Sequence, residues 1–286
     1  MNKKVSQAHE QNQTSTQDIH ILQWLMDHLM FEIGPGPKVM KLSYLVNFQK
    51  AGMCFYVLSL MFCFNNFSEA MWSYLLLHGS YGAFWILKDL IFPDPVFQKK
   101  ATVFGLFTSF ALVLGHYFVP AYMLASGRAD NNLTFERIWV SYLIYVIGII
   151  LMLLSDSQKY HTLRFKKGLI SDGMFKYTRN PNYFDEILVY GSFINLVNEK
   201  ISYICVMQVW FLIFSLRMYL KDLSLRRKEG WEEYSQRSWL LVPKINGRVF
   251  DSLIFYSALL FSIYYCYFNG GFVKTAIDLR RILIKH

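Results

Sequence analysis

The chain has 286 residues, of which 54% are hydrophobic and 18% aromatic, and it carries a formal net charge of +9 at pH 7. This composition excludes an ordinary soluble domain, because the apolar residues fall in blocks close to the roughly 20 residues that a helix needs to cross a bilayer. The basic residues flank these blocks and form no continuous basic face. We therefore expect anionic lipid headgroups as neighbours and no nucleic acid.

The N-terminal part of the chain predicts a polar tail followed by a surface helix. Residues 1–18 contain no apolar run, so we expect neither a secretory signal nor a transit peptide there. Residues 19–32 alternate apolar and polar side chains at helical spacing, which predicts a helix along the membrane interface. The run Gly34-Pro35-Gly36-Pro37 predicts a turn before the membrane body.

The remaining apolar blocks predict an all-α, polytopic transmembrane helix bundle of about seven spans. The predicted spans cover residues 47–67, 70–91, 101–125, 136–155, 183–198, 201–220 and 250–269. The fourth is expected to continue outward as a basic helix that stops at Gly168. The chain divides into a polar tail and interfacial helix (1–37), a membrane domain (38–249), and a last span with a basic C-terminal tail (250–286).

The distribution of charge predicts the orientation of the spans. Most of the 29 Lys and Arg residues lie before the first span or in alternate loops after it. By the positive-inside rule, the N-terminus and the loops around residues 168–182 and 221–244 then share the cytoplasm-equivalent side.

The cysteines and histidines predict no disulfide framework and no metal site. All four cysteines lie inside predicted spans without Cys-X-X-Cys spacing and are expected to pack as small apolar side chains; they are Cys54, Cys63, Cys205 and Cys266. The seven histidines include no His-X-X-X-His pair.

The second span carries a polar stripe on one helical face. His78, Tyr81 and Trp85 recur at helical spacing and lead to Lys88 and Asp89. In a membrane such side chains must face other helices or a cavity. Tyr81 is a candidate proton donor, and His78 can supply or orient that proton. The alternative is an interhelical hydrogen-bonded contact, with Lys88 reaching toward the surface.

The fifth predicted span begins with an informative motif. Asn180 is a favourable N-cap, and Pro181 suits the first helical position. Glu186 is then carried into a membrane helix, where an unpaired charge is costly and is by default a functional candidate. The alternative is a capped helix whose Glu186 is satisfied by Arg179 or Tyr190.

Residues 168–191 and 221–244, called here the first and second signature segments, together resemble a known superfamily. The first contains Gly-X-Phe-X-X-X-Arg-Asn-Pro-Asn-Tyr-Phe-Asp-Glu, and the second contains Gly230-Trp231-Glu232-Glu233-Tyr234 and closes on Pro243. Both motifs resemble the superfamily that joins steroid 5-alpha-reductases, sterol reductases and isoprenylcysteine carboxyl methyltransferases. The chain is most similar to its steroid-reductase-like branch.

The resemblance implies a cofactor site in the signature segments. It implies that Asn182 and Tyr183 line the pocket and that Glu186 helps to fix the nucleotide. Tyr190 shares the helical face of Asn182 and Glu186. Asp185 replaces the superfamily's usual glycine, and a carboxylate there is expected to crowd the cofactor or to repel its phosphates.

The basic character of both segments favours NADPH over S-adenosylmethionine, because only NADPH carries phosphates. The candidate cofactor-binding side chains include Asn182, Tyr183, Glu186 and Tyr190. The others are a group of cations and aromatics: Arg179, Lys221, Arg226, Arg227, Trp231, Tyr234 and Arg237. The alternative is that this loop is basic only because of the positive-inside rule. No Gly-X-Gly-X-X-Gly motif is present, so a dinucleotide would bind without a Rossmann domain.

The sequence therefore favours an integral-membrane enzyme that reduces a carbon–carbon double bond of a lipophilic, sterol-like or lipid-like substrate with NADPH. The candidate catalytic residues are His78, Tyr81 and Glu186. Two alternatives stay open: a non-catalytic accessory subunit of a larger membrane complex, which Asp185 favours, and a methyltransferase that uses S-adenosylmethionine. The endoplasmic reticulum suits the enzyme, and the mitochondrial inner membrane suits the subunit.

Overall fold

The computed structural model describes residues 21–284, which form a helical bundle with two very short strands. The first five helices are α1 (Leu42–Cys63), α2 (Glu69–Ile91), α3 (Val103–Leu112), α4 (Val119–Ala125) and α5 (Phe135–Phe165). They are followed by α6 (Pro181–Val197), α7 (Lys200–Leu225), α8 (Trp231–Arg237), α9 (Val249–Phe268) and α10 (Phe272–Ile284). The strands β1 (Met40–Lys41) and β2 (Lys100–Ala101) pair antiparallel.

Shorter helical turns connect or interrupt these helices. A π-helical turn, His28–Glu32, ends the helix that precedes α1, and a second one, Trp210–Phe214, lies inside α7. Three 3₁₀ turns lie at Leu114–Phe118, Gly173–Phe175 and Ile245–Gly247.

The predicted helical architecture is confirmed and several apolar helices fit a membrane protein, whereas the predicted number of spans is not confirmed. Four helices, α1, α5, α7 and α9, are long and apolar enough to cross a bilayer, and α3 and α4 form a fifth candidate if they count as one bent span. The bend between α3 and α4 is 47°, where the prediction had a single span. The prediction that α2 and α6 also cross the membrane stays a prediction.

Contacts at one end of the bundle, here called the basic end, join the loops that charge had placed on one side. The β1–β2 pair connects the segment before α1 to the segment before α3. Lys159 Nζ lies 2.8 Å from Asp94 Oδ2, which connects the end of α5 to the loop after α2. Arg179 Nη1 donates to the Ser238 carbonyl at 2.8 Å, which connects the two signature segments. The predicted clustering of these loops is therefore confirmed.

The opposite end of the bundle joins the remaining connections. Asn66 Nδ2 donates to the Ala125 carbonyl at 3.1 Å and to Asn131 Oδ1 at 3.2 Å. The rings of Phe135 and Phe272 are 6.2 Å apart, so the start of α10 lies beside the start of α5 at this end. The chain thus enters α1 at one end and leaves α9 at the other.

The segment before α1 packs across the start of α3. Thr102 Oγ1 donates to the Ile33 carbonyl at 2.7 Å, and Thr108 Oγ1 donates to the Leu29 carbonyl at 2.5 Å. The exposed side chains of Ile21, Trp24 and Leu25 are apolar, which suits the predicted position at the membrane interface. Of the predicted helix 19–32, residues 19 and 20 and the polar tail lie outside the described residues.

Two glycines allow the helices that carry the polar side chains to approach closely. A Cβ at Gly82 of α2 would lie 2.4 Å from the Lys50 carbonyl oxygen in α1. A Cβ at Gly148 of α5 would lie 2.8 Å from a Val189 methyl carbon and 3.0 Å from the Val189 nitrogen in α6. Small residues at such crossings let membrane helices pack backbone to backbone. Both crossings bring polar side chains into the centre of the bundle.

We expect Gly82→Ala to lower the free energy of unfolding by about 1–3 kcal/mol, because the added methyl group overpacks the α1–α2 crossing. The measurement is thermal unfolding of the purified protein in detergent. The matched control is Gly52→Ala, since a Cβ at Gly52 meets no heavy atom within 4 Å. A Gly82→Ala protein as stable as the control would contradict this account of the crossing.

Candidate functional site

The centre of the bundle is organised around Lys50 of α1, whose side chain is only 2% exposed. Its ammonium donates to the Tyr81 hydroxyl of α2 at 2.9 Å and to the Tyr190 hydroxyl of α6 in a short hydrogen bond. It also lies 3.4 Å from Glu186 Oε1 of α6. A lysine ammonium has three N–H donors, and here all three have an acceptor.

Aromatic rings complete the environment of this ammonium. Lys50 Nζ lies 4.7 Å from the ring centroids of Tyr81 and Trp85, 4.6 Å from that of Tyr190 and 5.4 Å from that of Tyr117. The ring faces attract a cation, most strongly where water is excluded. We refer to Lys50, Tyr81, Tyr117, Glu186 and Tyr190 as the buried cluster.

Two buried polar atoms, one in the buried cluster and one beside it, lack a hydrogen-bond partner among the described residues. The Tyr117 ring stacks on Tyr190 at 3.7 Å, yet its buried hydroxyl has no hydrogen-bond partner among the described residues. His78 uses Nδ1 with the Tyr74 hydroxyl at 3.1 Å, whereas its buried Nε2 has no partner in the described part of the chain. Buried polar atoms are rarely left unpaired, so these two are candidate contacts for a polar ligand atom.

The predicted polar face of α6 is present and connects the cluster to the basic end. Lys221 Nζ of α7 lies 3.4 Å from Asn182 Oδ1, one turn before Glu186. Glu186 is partly accessible, with a side-chain exposure of 22%. Along this face, Asn182 contacts Lys221 of the second signature segment, and Glu186 and Tyr190 contact the buried Lys50. Tyr183 lies off this face, with its ring 5.1 Å from Phe214 of α7.

The first and second signature segments are held together by Arg179. Its Nε lies 2.6 Å from Asp222 Oδ1 at the end of α7, and its guanidinium lies 5.4 Å from the Trp231 ring of α8. The backbone adds a bridge between Thr178 and Trp239. Arg179 is therefore engaged within the protein, where the sequence had predicted a contact with the cofactor.

Tyr234 reinforces the same junction. Its hydroxyl donates to the Phe175 carbonyl at 2.8 Å and lies 3.2 Å from the Thr178 carbonyl. Burial raises the pKa of the Tyr234 phenol to about 12, so the donor stays protonated at neutral pH. Tyr234 and Trp231 are both buried in the fold, and their predicted contact with a cofactor stays a prediction.

The remaining predicted cations of the second segment divide into two groups. Arg226 and Arg227 are exposed, and Arg226 lies 3.7 Å from Asp222 Oδ2. Arg237 is engaged, with Nη1 2.7 Å from Glu233 Oε1 and Nη2 donating to the Ser171 carbonyl at 2.9 Å. Arg226 and Arg227 are therefore the cations best placed to meet an external anion.

From the sequence we expected the Asp185 carboxylate to crowd the cofactor site. In the structure, Asp185 does not lie on the polar face of α6. It is 2% exposed and accepts a hydrogen bond from Ser155 Oγ of α5 at 3.2 Å. A helix advances about 100° per residue, so Asp185 turns toward α5 while Glu186 turns toward α1. The carboxylate therefore leaves the predicted cofactor face free.

Asn180 occupies the N-cap position of α6, but its side chain makes no capping hydrogen bond. Its Nδ2 donates instead to the Leu240 carbonyl at 2.9 Å. The prediction of a side-chain cap was wrong because the bond to Leu240 fixes the orientation of the amide and leaves Oδ1 without a partner among the described residues. Pro181 lies at the start of the helix, as predicted.

Lys50 is the residue that the sequence analysis missed. It lies in the first predicted span, and a lysine inside an apolar span is itself a reason to expect a functional site. Its partners come from α2 and α6, so its pairing depends on tertiary structure. Within residues 21–284, no three His, Cys, Asp or Glu side chains are placed to hold a metal ion, and all four cysteines are free.

These features define a helical membrane protein with a buried polar cluster beneath a basic end. Residues 93–238 match the family described as "Protein of unknown function (DUF1295)". The chain therefore belongs to this family, which lies in the steroid 5-alpha-reductase-like superfamily. No curated protein and no solved structure matches the chain.

We expect Tyr234→Phe to lower the free energy of unfolding by about 1–3 kcal/mol, because the buried Phe175 carbonyl loses its donor. The measurement is thermal unfolding in detergent. The control is Tyr219→Phe, since Tyr219 is 51% exposed. Equal stability of the two variants would show that the Tyr234 hydroxyl does not hold the signature segments together.

Proposed function

We propose that this protein is an integral-membrane reductase of the steroid-reductase-like branch, which uses NADPH to reduce a carbon–carbon double bond of a lipophilic substrate. The observation that carries the proposal is the polar face of α6. Asn182 lies beside Lys221 at the basic end, whereas Glu186 and Tyr190 contact Lys50 inside the bundle. One helix thus connects a surface suited to a charged nucleotide with a buried set of proton donors.

The residues at the basic end fit NADPH in their charge and their accessibility. Arg226 and Arg227 are exposed and suit the 2′-phosphate, for which arginine is well adapted. Lys221 and Asn182 suit the remaining polar groups of the cofactor, and Asp185 is turned away from them. Arg179, Trp231, Tyr234 and Arg237 would shape this site by holding the signature segments in place.

NADPH supplies a hydride when it is bound, and the protein must supply a proton and a site that excludes water. Tyr81 is the proposed proton donor, because its hydroxyl lies in the buried cluster and accepts a hydrogen bond from Lys50. Glu186, partly accessible and next to Lys50, is placed to restore a proton from water. His78 would orient the substrate through its unpartnered Nε2.

The lipophilic character of the substrate follows from the location of the buried cluster. It lies among α1, α2 and α6, within an apolar bundle whose outer face carries many large exposed apolar side chains. A substrate dissolved in the bilayer can enter such a site between helices. The organelle stays a prediction: the endoplasmic reticulum for the enzyme, or the mitochondrial inner membrane for a subunit of a membrane complex.

We expect the purified protein to bind NADPH saturably, and Arg226→Glu or Arg227→Glu to weaken NADPH at least about tenfold while changing NADH by less than about threefold. A charge-assisted hydrogen bond of roughly 1.5–3 kcal/mol to the 2′-phosphate accounts for this difference. Binding is measured by the fluorescence of the reduced nicotinamide. The control is Arg128→Glu, since Arg128 is exposed in the loop between α4 and α5 at the opposite end.

Glu186→Ala is expected to weaken both nucleotides to a similar degree, because Glu186 is proposed to contact a part that they share. Binding of S-adenosylmethionine with no binding of NADPH would assign the protein to the methyltransferases instead. Absence of binding to all three compounds would favour the non-catalytic accessory subunit, in which residues 1–33 and 270–286 are predicted to be buried by other chains.

A further inference from the structure

We propose that Lys50 is the positioning residue of the buried cluster: its ammonium occupies lone pairs of the Tyr81 and Tyr190 oxygens and so leaves the Tyr81 proton to be donated to a ligand. The inference rests on the proposed function, because it concerns the protons that a double-bond reduction consumes. It adds a residue that neither the sequence motifs nor the family match contains, since Lys50 precedes residue 93.

The donor and acceptor inventory of the cluster supports this assignment. A phenol has one O–H donor and two lone pairs, whereas an ammonium can only donate. Tyr81 and Tyr190 therefore both act as acceptors toward Lys50. The Tyr190 hydroxyl also interacts with the Tyr81 oxygen, so Tyr81 is the phenol that keeps a proton for a ligand. With the third N–H on Glu186, Lys50 has no donor left for a substrate. Lys50 consequently acts through the tyrosines and does not bind the substrate itself.

The unpartnered atoms nearby indicate where a ligand would complete the inventory. The Tyr117 hydroxyl is buried, stacked on Tyr190, and has no partner within the described part of the chain. The protons of Tyr81, Tyr190 and Tyr117 thus belong to one compact group of rings. A buried phenol proton without an acceptor in the cluster is complementary to a ligand that offers an acceptor atom.

The charge on Lys50 also suits the chemical step. When the Tyr81 O–H bond breaks, the proton moves to the substrate carbon and the electron pair stays on the phenol oxygen, 2.9 Å from the ammonium. The new negative charge is therefore stabilised at once by a fixed cation in a water-poor site. Lys50 then gives one of its protons to the phenolate oxygen, and Glu186, 3.4 Å from Lys50 Nζ, passes on a proton from water that restores the ammonium.

A structural role alone would be served by any buried lysine with a carboxylate partner, and the chain provides one for comparison. Lys88 of α2 is 8% exposed, lies 2.5 Å from Asp156 Oδ2 of α5 and lies 4.0 Å from the Trp85 ring centroid. It shares burial, an ion pair and a ring contact with Lys50. The described hydrogen bonds of Lys88 include none to a tyrosine hydroxyl. Lys88→Met is therefore the matched control for Lys50→Met.

The first measurement needs no substrate. Raman spectra of tyrosine report whether a phenol oxygen accepts or donates a hydrogen bond, and subtraction of the Tyr81→Phe spectrum isolates Tyr81. In wild type and in Lys88→Met, we expect Tyr81 to report an acceptor of a strong hydrogen bond. In Lys50→Met this signal should be lost. An unchanged Tyr81 signal in a folded Lys50→Met protein would overturn the proposal.

The second measurement separates positioning from folding and from cofactor binding. NADPH oxidation is followed with bilayer-soluble conjugated carbonyl probes, namely a sterol enone and a long-chain trans-2-enal. Lys50→Met should lower kcat about 100-fold, as expected for a disabled proton donor, with KM and the NADPH dissociation constant changed less than about threefold. Tyr81→Phe should give the same pattern, and Lys50→Arg, which keeps the charge, should recover part of kcat.

The outcomes distinguish the two proposals. Failure of wild type to bind NADPH would remove the proposed reductase function, and with it the role of Lys50 in proton donation. Normal NADPH binding with equal kcat in the Lys50→Met and Lys88→Met proteins would overturn only the role of Lys50. If neither probe is reduced, the Raman comparison still decides whether Lys50 holds the Tyr81 oxygen.

Discussion

The need to partner a buried charge in an apolar bundle is the constraint on which the rest of this structure depends. An unpaired ammonium in a low-dielectric interior costs several kcal/mol, and removal of one partner of a buried pair typically costs about 3–5 kcal/mol. Lys50 meets this constraint with two phenol oxygens and one carboxylate from α2 and α6. The close crossing at Gly82 brings α2 near enough to contribute. Lys50 therefore constrains the relative positions of α1, α2 and α6.

The basic end meets a related constraint, because two loops that are far apart in sequence must form one surface. Arg179 and Asp222 supply the ionic contact, and the Tyr234 hydroxyl satisfies carbonyls of the first signature segment. Arg179 lies in the first signature segment, and Asp222 and Tyr234 lie in the second. The resemblance therefore located the residues that join the two loops. The structure shows that part of the motif holds the two loops together, whereas Arg226 and Arg227 stay exposed.

The position of Asp185 illustrates why a substitution in a motif cannot be interpreted without the fold. From sequence, a carboxylate in place of glycine suggested a damaged cofactor site. In the structure, Asp185 packs against α5 and is hydrogen-bonded to Ser155, the last residue of the predicted fourth span. The helical rotation between neighbouring residues separates Asp185 from Glu186.

The sequence by itself determined the class of architecture, the pairing of the loops on one side and the family, because membrane-length apolar blocks and flanking charges are local signals. It also placed Asn182, Glu186 and Tyr190 on one face of a helix, since that depends only on helical spacing. The tertiary structure alone decided which side chains meet Lys50 and which cations stay exposed. It also decided that Asn180 would bond to Leu240 and not cap its helix. Those outcomes depend on contacts between residues that are distant in the chain, and no local pattern encodes the partner of a buried charge.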